Sequence, residues 1–158
     1  MAEWGVTQKD CLHVMIALQH NSLSVATDVP WGRDVFDVIV LITDPEASKQ
    51  VRFEFIADMV AQTNVDWVDT VGYSAELLHD MIDGASVAIG REAWVGGGSP
   101  MTAWHDHITD WSEMLAFVRL GGQGGSDNKL IVVLGNNEAY EYFRKHINDD
   151  TGLAGIPT

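Results

Sequence analysis

The run Val35-Phe-Asp-Val-Ile-Val-Leu-Ile-Thr43 decides the fold. It is a nearly continuous β-branched and apolar stretch, the pattern of a strand covered on both faces, and Asp44-Pro45 stops it. Proline suits the first turn of the helix expected next, where Val51, Phe55 and Met59 form a row with Ile56 and Val60 beside it, while Arg52, Glu54 and Asp58 face away. A second run of the same character, Lys129-Leu-Ile-Val-Val-Leu134, ends at a Gly135-Asn136 turn. A helix is expected from Asn137 to His146, with Ala139, Phe143 and Ile147 inward. The two runs are expected as neighbours or next-neighbours in the middle of a parallel sheet.

Outward from this pair, Val65-Asp-Trp-Val-Asp-Thr-Val71 alternates apolar and polar residues and predicts a strand nearer an edge, closed by Gly72. Ser74 is placed to cap a helix whose apolar stripe is Leu77, Leu78, Met81, Ile82, Ala85, Ala88 and Ile89, with Gly84 and Ala85 small for close packing. Thr109 or Asp110 caps a helix carrying Trp111, Met114, Leu115 and Val118, which Gly121-Gly122 stops. Gly121 to Ser126 reads as a flexible connection.

At the N-terminus, Thr7 and Asp10 resemble a helix start and Cys11, Leu12, Met15, Ile16 and Leu18 recur at helical spacing. They predict a helix over 8–20, with a strand as the competing reading. Short extended pieces are expected at Leu23 to Ala26 and at Ala93 to Val95, and a loosely held tail over 151–158. Strands alternating with helices require right-handed crossovers. The expected fold is therefore α/β, a single-domain three-layer Rossmann-like or flavodoxin-like sandwich spanning residues 1–158 with a mostly parallel sheet.

Composition narrows the partners. The chain has 158 residues, 46% hydrophobic and 20% charged, as expected of one globular domain. Its 23 acidic against 9 basic residues give a net charge of −14. That balance disfavours nucleic acid and anionic membrane surfaces, both of which are gripped through Lys and Arg. It admits a basic protein partner, a metal or a neutral ligand, and by itself means only solubility. Cys11 is the single cysteine, so no internal disulfide forms and a buried structural thiol is the plain reading. With no signal-peptide pattern or membrane-length apolar run, the expected compartment is the cytoplasm.

Functional groups concentrate in Val95-Gly-Gly-Gly-Ser-Pro-Met-Thr-Ala-Trp-His-Asp-His107. The glycines allow close approach of backbone to a ligand, and Gly96 to Ser99 can form an anion-binding nest, although Pro100 removes a donor and no nucleotide-binding spacing is present. His105 and His107, with Asp44 as a third ligand, make an alternative metal site with a position left for water, but they lack the further His and Asp spacing of zinc hydrolases. Trp104, beside His105, is expected at a surface or pocket, and Trp111 in packing. The block Gly98-Ser-Pro-Met-Thr-Ala-Trp-His105 resembles small bacterial proteins of unknown function. That resemblance implies a bacterial or phage setting and carries no activity.

In an open α/β sheet, ligands bind beyond the carboxyl ends of the strands where strand order reverses, which points to Asp44, Thr70 to Tyr73, the 95–107 loop and Gly135 to Asn137. No nucleophile elbow or catalytic triad order is present. The reading is a non-catalytic acidic binding module of immunity, inhibitor or regulatory type, without a cofactor. It would recognise a small-molecule ligand or a basic protein partner through Asp44, Gly97, Gly98, Ser99, Trp104, His105 and His107. The alternative is a metal-assisted hydrolase or transferase acting on a phosphorylated small molecule through a divalent metal on His105, His107 and Asp44.

Overall fold

A computed structural model describes residues 2–7, 13–18, 35–48, 50–61, 65–90, 98, 100–125, 128–150 and 153–154. Strands β1 (Ala2–Thr7), β2 (His13–Leu18), β3 (Phe36–Ile42), β4 (Val65–Gly72), β5 (Met101–His105), β6 (Asn128–Leu134) and β7 (Leu153–Ala154) form one sheet in the order β5-β4-β3-β6-β2-β1-β7. The five strands from β5 to β2 are parallel, and β1 runs antiparallel to both β2 and β7. Helices α1 (Gln50–Ala61), α2 (Ala75–Ala88), α3 (Trp111–Arg119) and α4 (Asn137–Asp150) complete an α/β sandwich of the Rossmann-like or flavodoxin-like kind. A short 3-10 turn, Pro45–Ser48, carries β3 toward α1.

The two β-branched runs are direct neighbours, paired in parallel from Asp37↔Lys129 to Ile42↔Leu134. Every residue of β3 is buried, as its nearly continuous apolar pattern requires. Alternate residues feed two cores. Val38, Val40 and Ile42 pack with Phe53, Ile56 and Val60 of α1 and with Leu78 and Ile82 of α2. Ile39 and Leu41 pack with Met114, Leu115 and Val118 of α3 and with Ala139, Tyr140 and Phe143 of α4. The α1 face that meets the sheet is thus Phe53, Ile56, Ala57 and Val60, with Glu54 and Asp58 exposed. The side chains of Val51, Phe55, Met59 and Ile147 lie outside the described residues.

Several local expectations are corrected. His13–Leu18 is a strand, not part of a helix over 8–20, because a run this apolar fits both periods and the free side of β6 takes it as a parallel partner. Cys11, the 23–26 and 93–95 pieces, and the rest of the 8–20 segment lie outside the described residues. Met101–His105, read as loop, is strand β5. Within the 151–158 tail, Leu153 and Ala154 pair with Thr7 and Val6. Ser74 sits at φ +57 and makes no side-chain cap; its carbonyl accepts from the Leu78 N–H instead. Gly84 is exposed with open space where a Cβ would stand, so close packing does not explain it, and Leu77 is exposed.

Other punctuation is as expected. Asp110 caps α3 by accepting from the Ser112 N–H at 2.8 Å, and Gly121 and Gly122 end that helix at φ +81 and +66. Gly72, at φ +108, closes β4 where any Cβ would run into the Ile42 carbonyl.

Candidate functional site

Chain order makes a reversal between β3 and β6. From β3 the chain proceeds to β4 and then β5 on one side, while β6 inserts on the other. At that point the carboxyl ends of both strands frame an open cleft of about 560 Å³ lined by Asp44, Pro45, Glu46, Gly135 and Asn136. Its floor is rigid. The Thr43 N–H and hydroxyl both bond the Leu134 carbonyl, at 3.0 and 2.9 Å, and the Trp111 indole N–H donates to the Thr43 carbonyl at 3.1 Å. Gly135 has no space for a Cβ, which would overlap the Thr43 hydroxyl. The Asn136 side chain accepts from the Ala139 N–H at 2.9 Å and so starts α4.

Two strands away, β5 presents different groups on its two faces, because successive side chains of a strand alternate. Thr102 and Trp104 face α2. The Thr102 hydroxyl donates to Asp83 at 2.8 Å, and the Trp104 ring lies 4.6 Å from that of His79. His79 in turn contacts Asp80 at 2.9 Å and Asp83 at 3.6 Å. Trp104 remains 44% exposed, Asp80 is exposed and Asp83 is half-exposed. Trp104 is therefore where the sequence places it, at the surface.

His105 turns to the opposite face. Its ring lies 4.6 Å from Phe117 of α3, and its Nε2 is 3.0 Å from Asp69 Oδ1, a carboxylate only 1% exposed. A carboxylate accepts, so Nε2 carries the proton. The other Asp69 oxygen accepts from the Gln123 N–H at 2.9 Å. Beside it, Lys129 and Asp37 form a second buried pair at 2.6 Å, and Lys129 also donates to the Gly124 carbonyl at 2.8 Å. Residues 121–125 are thus a packed cover over two buried carboxylates. A Cβ on Gly122 would stand 2.6 Å from Asp69 Oδ2, and one on Gly124 would overlap the Asp37 carboxylate. Close approach explains these glycines, not the flexibility read from them.

The expected site residues therefore separate into three places. Asp44 lies in the cleft and is followed by exposed Glu46; Trp104 is at the α2 side of β5; His105 points under the 121–125 cover. His107 is exposed in the turn after β5, its ring 6.5 Å from that of His105. Gly98 is exposed, while Gly97 and Ser99 lie outside the described residues. The alternative ligand set of His105, His107 and Asp44 is not gathered. Among the described residues no group of three or more His, Cys, Asp or Glu is arranged to hold a metal ion. No helix among them is long and apolar enough to cross a membrane.

Sequence reasoning missed His79, Thr102, Asp83, Asp37 and Lys129 as members of these clusters. Asp37 did carry a signal: a lone acid inside a buried strand run needs a partner, and Lys129 heads the other run. No family model, curated protein or solved structure matches the chain.

Proposed function

We propose that the chain is a non-catalytic acidic binding module, of immunity, inhibitor or regulatory type, that recognises a basic protein partner on the β5 side of its sheet. The observation that carries this reading is Trp104, an indole 44% exposed on β5, braced by His79 and flanked by Asp80 and Asp83. Tryptophan is among the residues most enriched at recognition hot spots. The net charge of −14 supports a basic partner by the same token.

A second reading is supported by the cleft of Asp44, Glu46, Gly135 and Asn136, whose place at the strand-order reversal suits a small ligand. Titrating the isotopically labelled chain with an oligolysine, and with an oligoglutamate as control, separates the two. Amide shifts confined to residues 79–83 and 101–105 are expected with oligolysine alone. Shifts confined to 44–46 and 135–136, or none with oligolysine, overturn the β5 reading.

A further inference from the structure

Strand β5 ends the sheet among the described residues, and its inner side is fully used by β4, from Trp67↔Met101 to Val71↔His105. Alternate residues of any strand turn their N–H and C=O groups to the other side, so an edge strand offers a ladder for one more strand. Protein edges are commonly guarded by lysine, by proline within the strand, or by inward charge. β5 reads Met-Thr-Ala-Trp-His and has none of these along its length; Pro100 stands only before its start. Met101, 61% exposed, and Trp104, 44% exposed, lie on opposite faces, so an added strand would meet an apolar neighbour on each.

Charge selects the occupant. Arg91 is the single basic residue between Arg52 and Arg119. Around β5 stand Asp80 and Asp83 on α2 and exposed Asp106 just past the strand. A second copy pairing edge to edge would bring these acids against their own kind on a chain of net charge −14, which like-charge repulsion opposes. A lysine or arginine on an incoming strand meets carboxylates instead, and can lie over the Trp104 ring. Asp83 is already fixed by Thr102 and the indole by His79, so little ordering is left to the moment of binding.

We infer that the outer edge of β5 takes up an extended, basic segment of a partner protein as an additional strand, an inference that rests on the β5 side being the recognition surface. The main chain would supply affinity, and Trp104, Asp80 and Asp83 would supply preference for Lys or Arg at alternate positions.

The test uses the full chain and a fluorescein-labelled peptide alternating lysine with valine, beside the same peptide N-methylated at every second residue and one with glutamate for lysine. Saturable binding of the first peptide is expected, with slowed amide exchange at residues 101–105. N-methylation should weaken it about tenfold or more. The glutamate peptide should not bind, and D80N/D83N should weaken the lysine peptide severalfold. If the lysine peptide binds and Trp104→Ala weakens it, while N-methylation changes nothing and 101–105 exchange as before, strand addition is wrong and the β5 reading stands. If no lysine peptide binds, or if Trp104→Ala and D80N/D83N leave its binding unchanged, both fall. Concentration-dependent dimerisation that protects residues 101–105 without peptide would make the occupant a second copy and overturn the basic-segment assignment.

Discussion

The two faces of the sheet near β5 use the same kinds of side chain to opposite ends. On the α3 side, Asp37, Asp69, Lys129 and His105 are pressed under residues 121–125 and pair with one another. On the α2 side, Thr102, Trp104, His79 and Asp83 also touch one another, but Trp104 and Asp83 remain in solvent. In the first cluster each carboxylate is held by a neighbouring cation or N–H donor, so its partners resist removal; in the second, carboxylate and indole surface is left for something else. Burial, more than residue type, separates framework from open surface here.

The sharpest way to break this contrast is to remove one member of a buried pair. Lys129→Ala leaves the Asp37 carboxylate buried without its ammonium, a loss on the order of 3–5 kcal/mol. For a chain of this size the melting temperature should fall by roughly 6–20 °C. Replacing both residues by apolar ones of similar volume, Asp37→Leu with Lys129→Met, should restore much of it. A Lys129→Ala protein that melts like the parent would mean that the α3-side cluster is not framework.

Gly124→Ala probes the cover of the same cluster. The new methyl overlaps the Asp37 carboxylate, and overpacking of this kind costs about 1–3 kcal/mol. Urea denaturation of the variant should show a lower midpoint with unchanged slope. An unchanged midpoint would return residues 121–125 to the status of a flexible connection.

Adjacent residues give the most direct comparison. His105→Ala strips the buried Asp69 carboxylate of a donor, worth about 1–3 kcal/mol, whereas Trp104→Ala at the surface should stay within about 0.5 kcal/mol. Thermal melts of the two single variants measure the difference. Equal losses would place Trp104 in the core architecture and remove the basis for the β5 reading.

The fold was legible because β3 and β6 are long, β-branched and closely followed by helix starts, so periodicity and punctuation agreed. Strand β2 was misread for the opposite reason: His13-Val-Met-Ile-Ala-Leu18 satisfies both periods, and only its pairing with β6 settles the choice. Asp44 and Asn136 were foreseen in the cleft, since their place after buried strands follows from the rule for parallel sheets. The split between Trp104 and His105 was hidden because the segment read as loop, where side chains have no fixed alternation. Once Met101–His105 is a strand, opposite faces are unavoidable. The glycines at 122 and 124 misled because their composition is the same whether they loosen a chain or let it approach buried oxygens.

The smallest expected effect tests whether an exposed charge near β5 behaves unlike the buried ones. Asp110 is at the surface, and its hydrogen bonds from the Ser112 hydroxyl and N–H hold its carboxyl below the ordinary value of 3.8. A depressed value in the folded state means that the contribution is present above the unfolded value and lost as pH falls through the folded one. Asp110→Asn keeps an oxygen that can cap α3 but removes the titration. The parent should therefore melt slightly above this variant at neutral pH, and the gap should close as pH drops below 3.8. Added salt should narrow the gap at neutral pH, because an exposed charge at a helix start is screened, while the loss caused by Lys129→Ala should change little. If salt instead erases the Lys129→Ala loss, Asp37 and Lys129 are accessible to solvent ions and the division between the two faces fails.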